Sequence, residues 1–344
     1  MVYTKKLLSV ISILGIMAIA ALALHYHIAR VRAARLDHVP AIAPYFTPGS
    51  PWTQDISHAP LDPRSEDMIN WLEAAGGWGH GNKMQVDFAL RVLESSASTP
   101  VVHFYKGPGW TPADSDDIAS IPLPTGGGIE GETGYQCTVN ESDCHLIVVD
   151  RANGKLYEAY QANSSGSVVI ANFVAVWDLN RIYPPSGRGD QCTSADAAGF
   201  PIAPLLFNAD ELATGSINHA IRFILPNPRI RAHVFVHPAT HAGAPKGPEI
   251  ALPMGAHLRL KASYDLSQLS PAARVVARAM QKFGIFLSDG GNIALTAQSD
   301  QDTVTKYSDV GFDSHSMFPL KVTDFEVLTL GKPIPLTDDC VRNR

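Results

Sequence analysis

A stretch of alternating residues near the middle of the chain could carry acid–base chemistry. An Asn-Gly pair at 153–154 is typical of a two-residue type I′ turn, which predicts a hairpin. Because side chains alternate along a strand and cross-strand partners share a side, His145, Glu158 and Tyr160 should lie on one face. Arg151 should join them. An acid, an imidazole, a phenol and a guanidinium together can line a polar cleft that binds a sugar.

Two reactions fit this face. In glycoside hydrolysis, Glu158 is the candidate acid or base, and Asp178 or Asp289 must supply the second carboxylate that faces it. In β-elimination from a uronic acid, Tyr160 or His145 would remove the proton while an arginine neutralises the substrate carboxylate. The non-functional alternative is an exposed cross-strand pair between Arg151 and Glu158, worth about 0.2–1 kcal/mol.

Further polar residues follow on later strands. His219, Arg222 and Asp289 are candidate binding residues, although alternation puts His219 and Arg222 on opposite sides of one predicted strand. Three more histidines (His233, His237 and His241) could form a metal site, but they lack a fixed carboxylate spacing, and hydrogen-bonded histidines are the preferred interpretation. We predict no metal and no cofactor.

The common sequence signatures of nucleotide-binding proteins and hydrolases are incomplete or absent. Residues 126–131 read G-x-G-x-x-G, yet Pro122 and Pro124 precede them and Glu132 stands where a phosphate loop needs a lysine. The chain contains neither G-x-S-x-G nor H-E-x-x-H. A small-residue turn at 193–199 contains Asp196, interpreted as a local cap or a buried anchor.

The four cysteines fit an exported chain. Cys137 and Cys144 bracket a short polar segment, and we predict a disulfide between them. Cys192 and Cys340 are then partners or free thiols.

The elements that must position these residues are mostly short strands. Turn residues separate ten predicted strands, at 101–105, 145–150, 155–161, 168–179, 220–225, 232–237, 257–262, 285–288, 293–297 and 325–330. Helices are predicted from Pro63 to the glycines at 76–77, over 84–93, and from Pro271, capped by Ser270, to Gly284. This pattern predicts a mainly β fold: a single β-sandwich domain, jelly-roll or lectin-like, with a few short helices.

The N-terminus predicts export. Lys5 and Lys6 precede an uncharged apolar stretch, Leu7 to Leu24, which is a signal peptide or membrane anchor. We assign residues 1–24 to this segment, 25–63 to a proline-rich tether and lead-in, and 64–344 to the β-sandwich domain. A net charge of −6, with no long basic run, argues against nucleic acid as a partner.

Three segments, at 191–202, 215–223 and 279–290, resemble a family of exported bacterial proteins without an assigned activity. The resemblance covers about residues 45–335 and implies a single β-sandwich domain, but no catalytic residues.

Together these observations predict an exported carbohydrate-active protein, a glycoside hydrolase or polysaccharide lyase. The alternative is a non-catalytic envelope protein that binds a glycan or another protein. We expect it in the periplasm, at the cell surface or secreted, with polysaccharide or cell-envelope glycan as partner. The membrane becomes a second partner if residues 7–24 are retained.

Overall fold

Short strands dominate the computed structural model, which describes residues 45–46, 49–111, 113–138 and 143–343. Within these ranges its strands are β1 (Val86–Leu90), β2 (Leu93–Glu94), β3 (Val101–Lys106), β4 (Ser120–Pro122), β5 (Leu146–Asp150), β6 (Lys155–Tyr160), β7 (Asn163–Ser164), β8 (Val168–Ala171), β9 (Phe173–Asp178), β10 (Ile221–Leu225), β11 (Ile230–Phe235), β12 (Leu252–Met254), β13 (His257–Leu260), β14 (Ile285–Gly290), β15 (Leu295–Gln298), β16 (Phe325–Val327) and β17 (Ile334–Pro335).

Four helices accompany the strands in the described part of the chain: α1 (Ser65–Ala74), the distorted turn α2 (Gly79–Asn82), α3 (Ala209–Thr214) and α4 (Pro271–Lys282). The helix that begins at Pro271 is confirmed, because Ser270 Oγ accepts a hydrogen bond from the Ala273 amide at 3.3 Å, and Gly284 follows with φ +73°. Helix α1 begins two residues after the predicted Pro63.

The fold is mainly β, as predicted, but the strands form several sheets. A six-stranded mixed sheet has the order β1-β15-β10-β14-β13-β16, and a three-stranded sheet the order β12-β11-β17. Two four-stranded sheets have the orders β2-β5-β6-β9 and β4-β3-β8-β7.

The two four-stranded sheets pack face to face. Leu146 and Val148 of β5 share one apolar cluster with Val102, Phe104 and other residues of the β4-β3-β8-β7 sheet. The opposite side of β5, with Ile147 and Val149, belongs to the large cluster that contains the six-stranded sheet and α4. The sheet β2-β5-β6-β9 is therefore buried on both faces, which explains why every residue of β5 is buried.

Residues 45–46 and 49–63, in the predicted lead-in, pack against this large cluster. Trp52 is 6% exposed and forms edge contacts with Phe200 and Phe286, at ring-centroid distances of 5.0 and 5.6 Å. This part of the lead-in contributes to the core. The described residues belong to one compact unit.

The hairpin at β5 and β6 has the predicted faces but a different register. Ile147 lies opposite Glu158, and Asp150 pairs with Lys155 across a four-residue turn. The Asp150 carboxylate accepts hydrogen bonds from the amide and the side chain of Asn153, at 3.2 and 2.8 Å, which favours the longer turn. A shift of two residues leaves every side chain on its predicted face.

Two other element predictions are wrong. The segment 84–93 forms β1 and β2 rather than a helix, because pairing of β1 with β15 and of β2 with β5 satisfies its backbone. The predicted strand 168–179 divides at Asn172, where the chain leaves one four-stranded sheet and enters the other.

Two disulfides join the four cysteines. The predicted Cys137–Cys144 bridge is present, and Cys192 pairs with Cys340. Both are consistent with an oxidising, exported environment. Among the described residues, no helix combines the length and apolar character that a membrane crossing requires. The predicted export segment at residues 7–24 lies outside the described ranges.

Candidate functional site

A polar cleft of about 360 Å³ lies where strand ends of three sheets meet. His145 precedes β5, Tyr160 ends β6, and Asp289 lies near the end of β14. Asn172 contributes from the junction of β8 and β9, and the loop 193–197 forms another wall. Three of the predicted site residues, His145, Tyr160 and Asp289, are thus brought together.

His145 forms a buried ion pair at one side of the cleft. Its Nδ1 lies 2.7 Å from Oε2 of Glu130, and its Nε2 donates to the Ala195 carbonyl at 2.9 Å. Burial opposes a charge on the ring, but the Glu130 carboxylate outweighs it and raises the pKa of His145 to about 9. His145 is therefore an imidazolium at neutral pH.

Arg222 connects two carboxylates on the opposite side. Its Nη2 donates to Oδ1 of Asp196 at 2.6 Å and lies 3.5 Å from Oδ2 of Asp289. Its other nitrogens donate to Ser288 Oγ at 3.1 Å and Thr296 Oγ1 at 2.9 Å. Two carboxylates that share one nitrogen must lie close to each other.

Asp196 combines burial with an unsatisfied oxygen. Its side chain is inaccessible to solvent, and Oδ2 has no hydrogen-bond partner within the described residues. Burial raises the pKa of Asp196 to about 7, against the lowering effect of Arg222. Burial also raises the pKa of Asp289, although 30% of that side chain is exposed. A carboxyl group that holds its proton near neutral pH can act as a general acid.

Tyr160 faces the same space. Its ring centroid lies 5.5 Å from that of His145, and its hydroxyl hydrogen-bonds Asp143. Burial, followed by the charge of Asp143, raises the pKa of Tyr160. The phenol therefore stays protonated, and its oxygen can accept a hydrogen bond from a bound hydroxyl group while its hydrogen bonds Asp143.

Glu158, by contrast, does not reach the cleft. It is fully buried: Oε1 accepts hydrogen bonds from the amides of Ile202 and Ala203 at 2.7 and 2.9 Å, and Oε2 accepts one from Trp177 Nε1 at 2.9 Å. Burial raises its pKa to about 7, against these three donors. This geometry corrects the expectation that Glu158 is the acid or base, because three protein donors occupy its oxygens and anchor the loop at 202–203.

Four other predicted residues also do not line the cleft. Arg151 is in the hairpin turn, where it pairs with Glu94 at 3.0 Å rather than with Glu158. His219 bonds the Ala220 carbonyl and Glu211. Asp178 pairs with Lys155 at 3.0 Å and is 41% exposed. Arg222 does not line the cleft but supports it from behind.

Three acidic residues that line or support the cleft were not among the predicted site residues. Asp196 belongs to the small-residue turn that had been singled out, and Asp143 lies beside Cys144. Glu130 is part of the rejected G-x-G-x-x-G segment. Gly127 there serves close packing, since a Cβ would lie 2.2 Å from the Tyr135 hydroxyl oxygen.

A cluster of three side chains near the cleft has the spacing of metal ligands. Donor atoms of Glu130, Asp143 and His145 all lie within 4.8 Å of one another, close enough for three metal ligands. However, both ring nitrogens of His145 already have protein partners, Glu130 Oε2 at 2.7 Å and the Ala195 carbonyl at 2.9 Å. The cluster therefore fits an ion pair better than a cation site.

Comparisons of the chain with protein-family models, with curated proteins and with solved structures find no match. The resemblance to exported bacterial proteins stays a prediction, and the geometry of the cleft carries the functional argument.

Proposed function

We propose that this protein hydrolyses glycosidic bonds in a polysaccharide outside the cytoplasm. The observation that carries the proposal is a pair of carboxylates, Asp143 and Asp289, that line one open cleft, with Asp289 also held by Arg222. Glycosidases use such a pair on either side of the scissile bond, with one group protonated and the other ionised.

The environments of the two groups suggest separate roles. Asp289, whose pKa burial raises and whose side chain is 30% exposed, would donate a proton to the glycosidic oxygen. Asp143, an exposed carboxylate that also lines the cleft, would act on the anomeric carbon as nucleophile or activate a water molecule as base. Asp196 is inaccessible to solvent and would position Asp289 through Arg222.

The Tyr160 phenol oxygen would accept a hydrogen bond from a sugar hydroxyl group, because its own hydrogen bonds Asp143. Both ring nitrogens of His145 are bonded to Glu130 and the Ala195 carbonyl, so His145 would shape the wall of the cleft.

Hydrolysis is better supported than β-elimination. A lyase needs a cation that neutralises a substrate carboxylate, whereas Arg222 is buried against two aspartates and His145 faces Glu130. No lysine or arginine is among the described residues that line the cleft. A uronate would instead meet Asp143 and Asp289.

The test is a polysaccharide panel, assayed for new reducing ends with the disulfide-bonded chain. We expect activity on at least one polymer and a loss of 10²-fold or more in Asp289→Asn and Asp143→Asn. Asp178→Asn is the matched control, because that aspartate pairs with Lys155 away from the cleft, and it should retain full activity. Binding without any product would instead support the non-catalytic alternative, and equal activity in all variants would refute the assignment.

A further inference from the structure

A second depression adjoins the cleft and differs from it in chemistry. It has a volume of about 520 Å³, and amide and hydroxyl side chains dominate its walls. We call it the amide groove; its polar lining residues include Gln136, Thr138, Gln161, Asn163, Ser165 and Asn172. No charged side chain is among the described residues that line it.

Two amides join the groove to the cleft, because Gln161 and Asn172 line both. Nδ2 of Asn172 donates to Oε1 of Gln161 at 2.6 Å, and Oδ1 of Asn172 accepts from the Gly109 amide at 3.2 Å. Gln161 has a φ of +50°, a conformation that costs free energy in residues other than glycine. A Cβ at position 107 would lie 2.1 Å from Asn172 Oδ1, so only Gly107 leaves room for this arrangement. The two side chains are thus held in place before any ligand arrives.

The groove continues onto an exposed apolar surface. Ile170 lines the groove and lies beside Tyr105 in the parallel pairing of β3 and β8. These two side chains are 47% and 56% exposed, respectively. An exposed ring next to fixed amides suits a sugar, whose C–H face packs on the ring while its hydroxyl groups bond to the amides.

The net charge around the cleft favours binding of a neutral polymer over an acidic one. In and behind the cleft, the carboxylates are Glu130, Asp143, Asp196 and Asp289, whereas His145 and Arg222 are the cations that face them. The excess is negative, and the groove adds no positive charge. A uronic acid polymer would therefore be repelled, while a neutral chain loses nothing.

We propose that the amide groove binds the sugar units that adjoin the cleavage point of a neutral polysaccharide, so that the cleft acts on internal bonds of an extended chain. The action on internal bonds rests on the proposed hydrolytic function. Binding of sugar units in the groove does not, because it can be measured without turnover.

The test measures binding of cellohexaose, xylohexaose, mannohexaose and hexagalacturonate to full-length Asp289→Asn protein by calorimetry. We expect at least one neutral hexasaccharide to bind about tenfold or more tightly than its disaccharide and than hexagalacturonate. Adding Tyr105→Ala or Gln136→Ala should weaken the binding of that hexasaccharide by about tenfold. Gln268→Ala, an exposed glutamine that lines neither cavity, is the control and should not change it. Because Tyr105 and Gln136 are exposed, both variants should keep the thermal midpoint of the parent.

The outcomes separate the two proposals. Hexasaccharide binding that depends on Tyr105 and Gln136, without cleavage by the unmodified protein, would leave the groove supported and the hydrolytic function refuted. If the Tyr105→Ala and Gln136→Ala variants cleave the polymer with unchanged KM and unchanged product lengths, the proposal that the groove binds sugar units is refuted. Tighter binding of hexagalacturonate, or no binding of any neutral hexasaccharide, would also refute it.

Discussion

Arg222 donates a hydrogen bond from Nη2 to Oδ1 of Asp196 across 2.6 Å, and both side chains are buried. The local sequence does not predict this pair, because the two residues are 26 positions apart. The same nitrogen approaches Asp289, so one cation sets the position of both carboxylates beside the cleft.

Replacement of Arg222 should be strongly destabilising. Arg222→Met leaves Asp196 buried without its cation, and breaking a buried pair in this way costs about 3–5 kcal/mol. Arg151→Met is the matched control, because its pair with Glu94 is exposed and worth about 0–1 kcal/mol. Urea unfolding of both variants measures the difference. Equal, small losses would show that the buried pair does not support the fold.

Glu158 should matter for stability rather than for chemistry. Glu158→Gln keeps one oxygen as acceptor but places its NH2 against at least one donor, Trp177 Nε1, and we expect a loss of about 1–3 kcal/mol. The kcat of the folded fraction should stay within a few-fold of the parent value. Thermal unfolding and active-site titration together check this. A stable variant with abolished kcat would restore Glu158 as the acid or base.

Stability should decrease as the pH rises from about 5 to 9. The pKa values of Asp196 and Glu158 are raised to about 7, so the folded form retains protons that the unfolded chain loses near pH 4. The pKa of His145 is raised to about 9, so its contribution is complete below about 6.5 and is lost towards 9.

His145→Gln isolates the alkaline part of this dependence, worth about 3 kcal/mol. Between pH 6.5 and 9 the variant should lose about 3 kcal/mol less unfolding free energy in urea than the parent, whereas the exposed control His58→Gln should keep the parent slope. A parent protein that is more stable at pH 9 than at pH 6 would contradict the assignment.

The two disulfides should contribute unequally. Cys192 and Cys340 are 148 positions apart and close a long loop, which the chain-entropy model values at about 5 kcal/mol. Cys137 and Cys144 are 7 positions apart, and the same model gives about 2–3 kcal/mol. Double serine variants of each bridge, compared by urea unfolding, test the order. A larger loss from the short bridge would argue against an entropic origin.

Gly199 closes the loop that carries Asp196 and should not tolerate a side chain. Its φ is +80°, and a Cβ would lie 2.1 Å from Thr240 Oγ1 and 2.9 Å from the Cys192 carbonyl oxygen. Gly199→Ala should therefore cost more than the 1–2 kcal/mol expected from the φ value alone. Gly311→Ala, with φ +66° and nothing within 4 Å of its Cβ, measures that conformational part. Equal unfolding midpoints for the two variants would contradict the packing argument.

The amino-acid sequence by itself determined the features that depend on neighbouring residues. Ser270 and Pro271 mark the start of α4, and alternation gives the correct faces of the hairpin at β5 and β6. The spacing of Cys137 and Cys144 predicts their bridge. Each of these features follows from short-range geometry that other parts of the chain do not change.

Tertiary structure decided how those faces are used. His145, Glu158 and Tyr160 share one face as predicted, yet the loop at 202–203 covers Glu158 while His145 and Tyr160 remain at the cleft. Alternation states which side chains point the same way, but it does not state which of them another layer covers. That depends on contacts between residues far apart in the sequence, and the pairing of Asp196 with Arg222 arises in the same way.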